Sequence, residues 1–448
     1  MILNILSIIV ALGLLITFHE FGHFFVARRC GVKVLRFSVG FGKPIYRYVG
    51  STGTEYTLAM IPLGGYVRML DEREGNVPDS LKNQAFNTKT VWQRIAIVAA
   101  GPIANFILAI VIYALVAVLG IQSIAPKVGH ITQNTPIAQT QIQANDELIS
   151  IAGEAVTSWE DVNLVLAGLI GKTGTIIVRY QVDGLSSLQE DTVQLNRWLV
   201  GEEPDNLIQA FGLGPWQPDV LPVIAQVVKG GAAAAAGFQA DDKILKVNDQ
   251  LISNWQQVVA LVQANPNKAL DVEVQRGQEL RKLLLLPKST EQNGKVIGYA
   301  GLAVVPPQWD ESLIRERYYG PLEAISYGVA QTFKMVSLTV SSIGKMLQGL
   351  ISVDNLSGPI TIAKVASASA DSGLQSFLKF MAYLSVSLGV LNLLPIPMLD
   401  GGHLLFFGIE AIRRKPVSEK IQNMAYRVGA SLLFALMAVA IFNDIARL

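Results

Sequence analysis

Cysteine and charge are both scarce in this sequence. A single cysteine, Cys30, among 448 residues excludes an intramolecular disulfide framework and a zinc finger built from cysteines. Charged residues make up 16% of the chain, against roughly 25% in a typical soluble domain. The net charge of +1 provides no basic field for a nucleic acid partner, so none is expected. Histidine chemistry has four residues to draw on: His19, His23, His130 and His403.

Long apolar runs are what the sequence has instead. Hydrophobic residues make up 51% of the chain, and a helix needs about 20 apolar residues to cross a bilayer. The stretches that qualify are 1–18, which continues through HEFGHFFVA, 95–121, 380–399, which continues to 412, and the shorter 428–443. We therefore expect a polytopic α-helical membrane protein with four transmembrane helices.

The loops between these runs differ in charge. Residues 28–94 hold 11 Lys or Arg against 5 Asp or Glu, 413–427 hold 5 against 1, and 121–379 hold 19 against 25. The positive-inside rule makes the first two regions cytoplasmic and the third external, with both termini external. A cleaved signal peptide is the alternative for the first run, but its positive charges would precede the apolar residues, whereas Arg28 and Arg29 follow them.

A fifth apolar stretch, 320–350, carries Glu323, Lys334 and Lys345 at wide spacing. If it crossed the bilayer, the basic loop 413–427 would lie outside. We expect an interfacial amphipathic helix instead.

The external region repeats itself at an offset of 96 residues without a gap. Ala144-Asn-Asp-Glu-Leu-Ile149 aligns with Ala240-Asp-Asp-Lys-Ile-Leu245, and Trp159 aligns with Trp255. Each copy has short strands around an amphipathic helix, at 159–170 and 255–264. The second copy resembles the A-G-L-x-x-G-D-x-I signature of circularly permuted bacterial PDZ domains, with Asp241 where that signature has Gly. The first copy has Thr140-Gln141 in place of the Ala-Gly pair. The resemblance implies two α+β PDZ domains, with peptide C-termini expected at the second copy rather than the first, unless both are steric spacers.

The first apolar run ends in a metal-binding pattern. His19-Glu20-Phe21-Gly22-His23 matches H-E-x-x-H, which places both imidazoles on one helix face, where they can hold one Zn²⁺. Glu20 can then act as general base toward the reacting water. A carboxylate in an apolar helix costs about 2.5–3.5 kcal/mol at the bilayer centre, which favours a functional role.

Catalytic zinc takes three protein ligands, and the third apolar run offers two candidates. Asp400 and His403 are three residues apart, so both can face one way in a helix. Asp400 is short and leaves the site less positive, and His403 is its rival. Pro395 and Pro397 break the helix before them, which implies a water-accessible cavity at this depth.

These motifs together resemble the site-2 protease family of intramembrane zinc metalloproteases. The shared patterns are H-E-x-x-H, the N-x-x-P-x-P-x-L-D-G-G run that starts at Asn392, Gly101-Pro-Ile-Ala-Asn105, Leu356-Ser-Gly-Pro-Ile360 and the Phe-Asn-Asp run at 442–444. The resemblance implies that His19, His23 and Asp400 are zinc ligands, that Glu20 is the catalytic base and that Asn392 contacts the substrate or supports the transition state.

The resemblance also implies how substrates are handled. Residues 54–70 are expected to form strand, Gly-Gly turn and strand, as a re-entrant β-hairpin rather than an ordinary cytoplasmic one. The implied substrate is a single-span membrane protein already trimmed outside, an anti-sigma factor and also remnant signal peptides, in a bacterial inner membrane with periplasmic PDZ domains. The expected segments are 1–27, helix with HExxH; 28–94, cytoplasmic loop with the hairpin; 95–121, second helix; 122–220 and 221–308, PDZ domains; 309–379, interfacial region; 380–412, third helix with LDGG; 413–427, cytoplasmic loop; and 428–448, fourth helix.

Two other classes of protein compete with this interpretation. A membrane scaffold that carries PDZ modules explains the repeat, but it leaves Glu20 and Asp400 in apolar helices without a reason. A transporter would have more spans and a repeat within its membrane part.

Overall fold

The computed structural model describes residues 2–446 apart from 186, 203, 205, 293, 294, 306, 308 and 309. Its α-helices are α1 (Ile2–Arg29), α2 (Val91–Leu119), α3 (Trp159–Leu169), α4 (Leu207–Phe211), α5 (Ala232–Ala235), α6 (Trp255–Gln263), α7 (Pro321–Leu347), α8 (Pro359–Asp371), α9 (Leu374–Leu393), α10 (Asp400–Arg413) and α11 (Glu419–Ala446). Short 3₁₀ helices lie at Asp79–Gln84, Phe86–Thr88, Pro136–Gln139, Glu311–Leu313 and Val353–Asn355.

The strands lie between α1 and α7. They are β1 (Val34–Val49), β2 (Glu55–Met69), β3 (Ile121–Ile124), β4 (Val128–Ile131), β5 (Glu147–Ile151), β6 (Glu154–Ala155), β7 (Gly174–Gln181), β8 (Leu188–Leu195), β9 (Leu213–Pro215), β10 (Ile224–Val227), β11 (Lys243–Val247), β12 (Gln250–Leu251), β13 (Leu270–Arg276), β14 (Glu279–Leu285), β15 (Lys288–Gln292), β16 (Lys295–Tyr299), β17 (Leu302–Val304) and β18 (Ile314–Arg317).

Four helices of the described chain are long and apolar enough to cross a membrane, as predicted: α1 from Ile9, α2, α9 and α11. The third predicted run is divided between α9 and α10, because Pro395 and Pro397 interrupt the helix between Leu393 and Asp400. The amphipathic stretch 320–350 forms α7, which is not one of the four. Its buried residues are spaced four and three apart: Ala324, Gly328, Thr332 and Met335.

The predicted hairpin at 54–70 is wrong in its pairing. Both ends of β2 pair with the same part of β1: Phe37 lies opposite Tyr56 and also opposite Val67. The two arms of β2 therefore flank residues 34–39 instead of pairing with each other across Gly64-Gly65. The error arose because the strand at 34–39 was not recognised as their partner. Residues 65–69 lie on the outer side of this sheet, and Gly65 approaches α1, since a Cβ there would lie 3.2 Å from Cγ of Glu20.

The two copies of the sequence repeat form modules of the same topology. The first has a four-stranded sheet in the order β6-β5-β7-β8 and the second has β12-β11-β13-β14. Equivalent strands begin 96 residues apart, as at Glu147 and Lys243. Asn145 and Asp241 occupy equivalent positions with φ of 75° and 67°. Because Asn and Asp tolerate left-handed backbone better than other non-glycine residues, Asp241 can replace the glycine of the motif without a change of fold.

The apolar core of the helical part lies around α2. Leu15 of α1, Ile112 of α2, Met335 of α7 and Val386 of α9 belong to one buried cluster. Gly22 allows α1 to cross α2 closely, because a Cβ at this position would overlap the Ala100 carbonyl. This crossing brings the HExxH segment against α2.

Candidate metal centre

Helix α1 presents the two motif histidines to one point. His19 and His23 are one turn apart, their rings meet edge to face at a centroid distance of 4.8 Å, and their Nε2 atoms are 3.2 Å apart. Each residue is less than one tenth exposed. Both imidazoles therefore point the same nitrogen into a shared, buried space.

The third group arrives from the start of α10. The chain leaves α9 at Leu393, passes through Met398 at the unusual φ of 97° and begins α10 at Asp400. Oδ2 of Asp400 lies 3.2 Å from Nε2 of His19 and 3.4 Å from Nε2 of His23. A carboxylate at the first residue of a helix is also favoured by the positive end of the helix dipole.

These three donors have the spacing of zinc ligands. Tetrahedral Zn²⁺ binds His nitrogen and carboxylate oxygen at about 2.0–2.2 Å, so neighbouring ligand atoms are about 3.3 Å apart. The three measured distances lie within about 0.1 Å of that value. Oδ2 of Asp400 is buried without a hydrogen bond. Burying a carboxylate oxygen in this way costs free energy unless the oxygen binds a cation. The residues present fit a zinc ion with three protein ligands.

Helix α2 holds the far sides of both imidazoles. Nδ1 of His23 lies 2.9 Å from the backbone oxygen of Ile97, and Nδ1 of His19 lies 3.1 Å from the side-chain amide of Asn105. Between them Gly101 leaves room for the rings, because a Cβ there would lie 2.9 Å from Cε1 of His19. Ile97, Gly101 and Asn105 recur every four residues on one face of α2.

Asn105 is the functional residue that sequence reasoning missed. Its Oδ1 is buried without a partner, while its Nδ2 faces Nδ1 of His19. Rotating the side-chain amide by 180° exchanges Oδ1 and Nδ2 without changing the shape of the group. In that orientation Oδ1 accepts a hydrogen bond from Nδ1–H of His19. Nε2 is then unprotonated and free to bind metal. Its spacing of four from Gly101 was the available signal.

Glu20 lines a cavity of about 570 Å³, whose wall also includes His23 and Asp400. The walls come from α1, the outer arm of β2, α2, α10 and α11, and they include Tyr66, His403 and Tyr426. The backbone N–H of Val67 is close to the carboxylate of Glu20. A carboxylate beside a metal-type cluster, facing a cavity, is the arrangement of a general base.

An ion pair fixes α10 to α2 on this side. Arg94 donates to both carboxylate oxygens of Glu410, at 2.6 and 3.2 Å, and its guanidinium lies 4.8 Å from the ring centre of Phe407. The pair is largely buried, with side-chain exposures of 13% and 17%. This contact therefore attaches α10, the helix that begins at Asp400, to α2.

Asn392 is not among the residues that line the cavity, although Glu20, His23 and Asp400 are. It is half-buried near the end of α9, eight residues before Asp400. The structure brings His19, His23 and Asp400 together and places Glu20 in the wall of the cavity beside them.

Comparisons with known proteins cover nearly the whole chain. Residues 7–436 match the sequence family described as Peptidase family M50. The regulator of sigma-E protease RseP of Escherichia coli is 45% identical over 447 residues, 99% of each chain. A Vibrio cholerae protein whose name describes a zinc metalloprotease is 44% identical over 446 residues, again 99% of each chain. Among solved structures, the PDZ domain of an SdrC-like protein from Listeria monocytogenes aligns with 20% of this chain and 94% of its own, at 13% identity and a TM-score of 0.17.

Proposed function

The chain belongs to peptidase family M50, the site-2 protease family, and is a zinc metalloprotease; from this premise we propose that His19, His23 and Asp400 hold the zinc ion. The observation that carries the proposal is the convergence of three potential metal-ligand atoms, two from α1 and one from α10, at zinc-ligand spacing. The family resemblance predicted from the motifs is confirmed. The ligand assignment remains a proposal.

Glu20 is the proposed catalytic base. Bound zinc polarises a carbonyl oxygen and lowers the pKa of water to about 7. Glu20 faces the cavity next to the ligands, so its carboxylate takes the proton from the attacking water and passes it to the leaving amide nitrogen. The backbone N–H of Val67 lies close to that carboxylate. Asn392, half-buried at the end of α9, is the proposed substrate contact.

The outer arm of β2 is the proposed holder of the substrate. A helical substrate hides its carbonyls in hydrogen bonds and must be unwound before hydrolysis. Residues 65–69 pair with β1 on one side, and Tyr66 and Val67 line the cavity on the other. A substrate strand that adds to this edge is held extended next to Glu20. We place this sheet within the membrane as a re-entrant element, because its tip is apolar and exposed at Phe41, Ile45 and Met60.

The two external modules are the proposed filter. Their common topology and the signature at 235–244 support PDZ domains at 122–220 and 221–308, which admit a substrate after its external part has been trimmed. The sigma-E name of the relatives supports an anti-sigma factor as substrate, and remnant signal peptides are a second group. The charge distribution supports a bacterial inner membrane with 28–94 and 413–427 in the cytoplasm, 309–379 at the outer surface and the modules in the periplasm.

The test is cleavage of a trimmed single-span substrate in membranes by the wild type, Glu20→Gln and Asp400→Asn. We expect Glu20→Gln to lose about 10²–10⁴-fold in rate and keep its zinc, and Asp400→Asn to lose both zinc and cleavage. Wild-type rates in Glu20→Gln would contradict the mechanism. A purified wild type without zinc that cleaves no substrate would favour the membrane scaffold.

A further inference from the structure

His403 is a cavity residue that the zinc assignment does not use. It lies one turn after Asp400 on α10 and lines the same cavity as Glu20 and His23. The potential ligand atoms of His19, His23 and Asp400 lie within 4.8 Å of one another, and His403 does not belong to this group. Its imidazole therefore faces the reaction space without serving as a fourth ligand.

The imidazole of His403 is oriented by α11. The hydroxyl of Tyr426 lies 3.4 Å from Nδ1 of His403, and the two rings are 5.7 Å apart. Phe407, one turn further along α10, lies 6.4 Å from the imidazole on centroids. These contacts from two helices restrict the rotation of the ring.

The second nitrogen of this ring remains available. Nε2 of His403 has no hydrogen-bond partner among the described residues. It is also absent from the buried unpaired atoms, so it is accessible to solvent. When the Tyr426 hydroxyl donates to Nδ1, the proton of the neutral imidazole resides on Nε2. Nε2–H is then an accessible, unpaired hydrogen-bond donor on a residue that lines the cavity.

Resting on the proposed function, we propose that His403 is a further catalytic residue, whose Nε2–H donates a hydrogen bond to the oxygen of the scissile carbonyl as negative charge develops there. Tyr426 is its positioning residue, because its hydroxyl selects the tautomer. A preorganised donor of this kind stabilises the transition state more than the bound substrate. Removing one such donor costs about 10²–10³-fold in kcat.

The variants are His403→Phe, which keeps a flat ring without a donor, and His403→Gln, which keeps an amide N–H at similar reach. In the full-length enzyme with the trimmed substrate, we expect His403→Phe to lose about 10²–10³-fold in kcat, with KM and zinc content unchanged. His403→Gln should lose less. His130→Phe, an exposed histidine on β4, is the matched control and should behave as the wild type.

Tyr426→Phe tests the positioning role. It should lower kcat in the otherwise native enzyme, without loss of zinc, and should have no further effect in the His403→Phe background. Tyr383→Phe, which removes an exposed hydroxyl on α9, is its control.

Three results would overturn the inference. They are wild-type kcat in His403→Phe, loss of zinc in parallel with kcat, and an equal effect of Tyr426→Phe with and without His403. A wild-type enzyme that fails to cleave the substrate would refute the proposed function instead.

Discussion

The carboxylate of Asp444, in the last turn of α11, accepts a hydrogen bond of 3.0 Å from the backbone N–H of Gly358, the residue that precedes α8. It also accepts from the N–H of Ile360 at 2.7 Å and from the hydroxyl of Thr361 at 2.5 Å. One side chain therefore caps a helix start that lies 83–86 residues earlier in the chain, using the N–H groups that a helix start leaves unpaired. Gly358 is required here, because a Cβ would overlap the same carboxylate.

Asp444→Asn should weaken the attachment of the C-terminal end of α11 to α8. The variant keeps the shape but loses the charge that strengthens these hydrogen bonds and favours the helix N-terminus. We expect a midpoint of thermal unfolding in detergent that is lower by a few degrees. Glu419→Gln, at the exposed start of the same helix, is the control, and an equal midpoint in both variants would contradict the capping role.

Gly101→Ala should damage the metal centre without altering any ligand. The added methyl would overlap the imidazole of His23 and lie within 2.9 Å of His19, so at least one ring must move. Since the ligand spacing has little tolerance, we expect zinc affinity to fall at least about tenfold. Gly408→Ala meets open space on α10 and should bind zinc normally. A normal zinc titration for Gly101→Ala would disprove this steric role.

Asn105→Ala should weaken zinc binding through His19. Loss of the amide removes the group that fixes the His19 tautomer, and such partners typically contribute 10–100-fold to metal affinity. Ser385→Ala is the matched control, because it removes a hydrogen bond to the backbone oxygen of Asn105, at 2.8 Å, and leaves the amide in place. Competitive zinc titration checks both variants, and equal affinities would exclude Asn105 from the metal centre.

The apolar helices could be predicted because an apolar run can be recognised from composition alone. The residues at which these helices begin and end depend on particular contacts. The predicted run 95–121 starts after Arg94, because that residue is charged. Helix α2 begins earlier, at Val91, because Thr90 and Gln93 form a capping box and Arg94 pairs with Glu410. The last helix was predicted from residue 428 but begins at Glu419, since its first turns are polar.

The site was predictable where spacing alone decides it. The four-residue interval places His19 and His23 together in any helix. Asp400 and His403 share a helix face, so their spacing could not predict which of the two lies beside His19 and His23. The separation depends on where α10 starts after Pro397, and the position of Asn105 depends on how α2 crosses α1. Both are tertiary facts.

The second module contains a buried ion pair that predicts a pH dependence. Asp242 is fully buried and accepts two 2.7 Å hydrogen bonds from Arg276. Burial alone would raise the pKa of the Asp242 carboxyl, but the hydrogen bonds from Arg276 and from the N–H of Gln239 outweigh it and hold the pKa below its usual value. A depressed pKa stabilises the fold above the unfolded value of about 3.9 and ceases to do so as the pH falls through the folded value.

Asp242→Asn should therefore loosen the second module at pH 7. Hydrogen exchange of β11 and β13 should be faster than in the wild type at pH 7, and the difference should shrink below about pH 4. Glu279→Gln removes an exposed pair with Arg281 and should have little effect at either pH. A difference for Asp242→Asn that is constant with pH would show that the carboxylate charge is not the cause.

The first module is held against the helices by a charge pair that can be exchanged. Glu160 at the start of α3 lies 2.9 Å from Lys379 of α9, and Nζ of Lys345 on α7 donates to the Gly168 oxygen at 2.6 Å, near the end of α3. Glu160→Lys or Lys379→Glu alone places like charges together, so hydrogen exchange of 157–170 should accelerate, most strongly at low salt. The double exchange should restore slow exchange, because an exposed pair contributes about 0.2–1 kcal/mol in either orientation. Exchange rates in the double variant as fast as in the single ones would show that this pair does not hold the module.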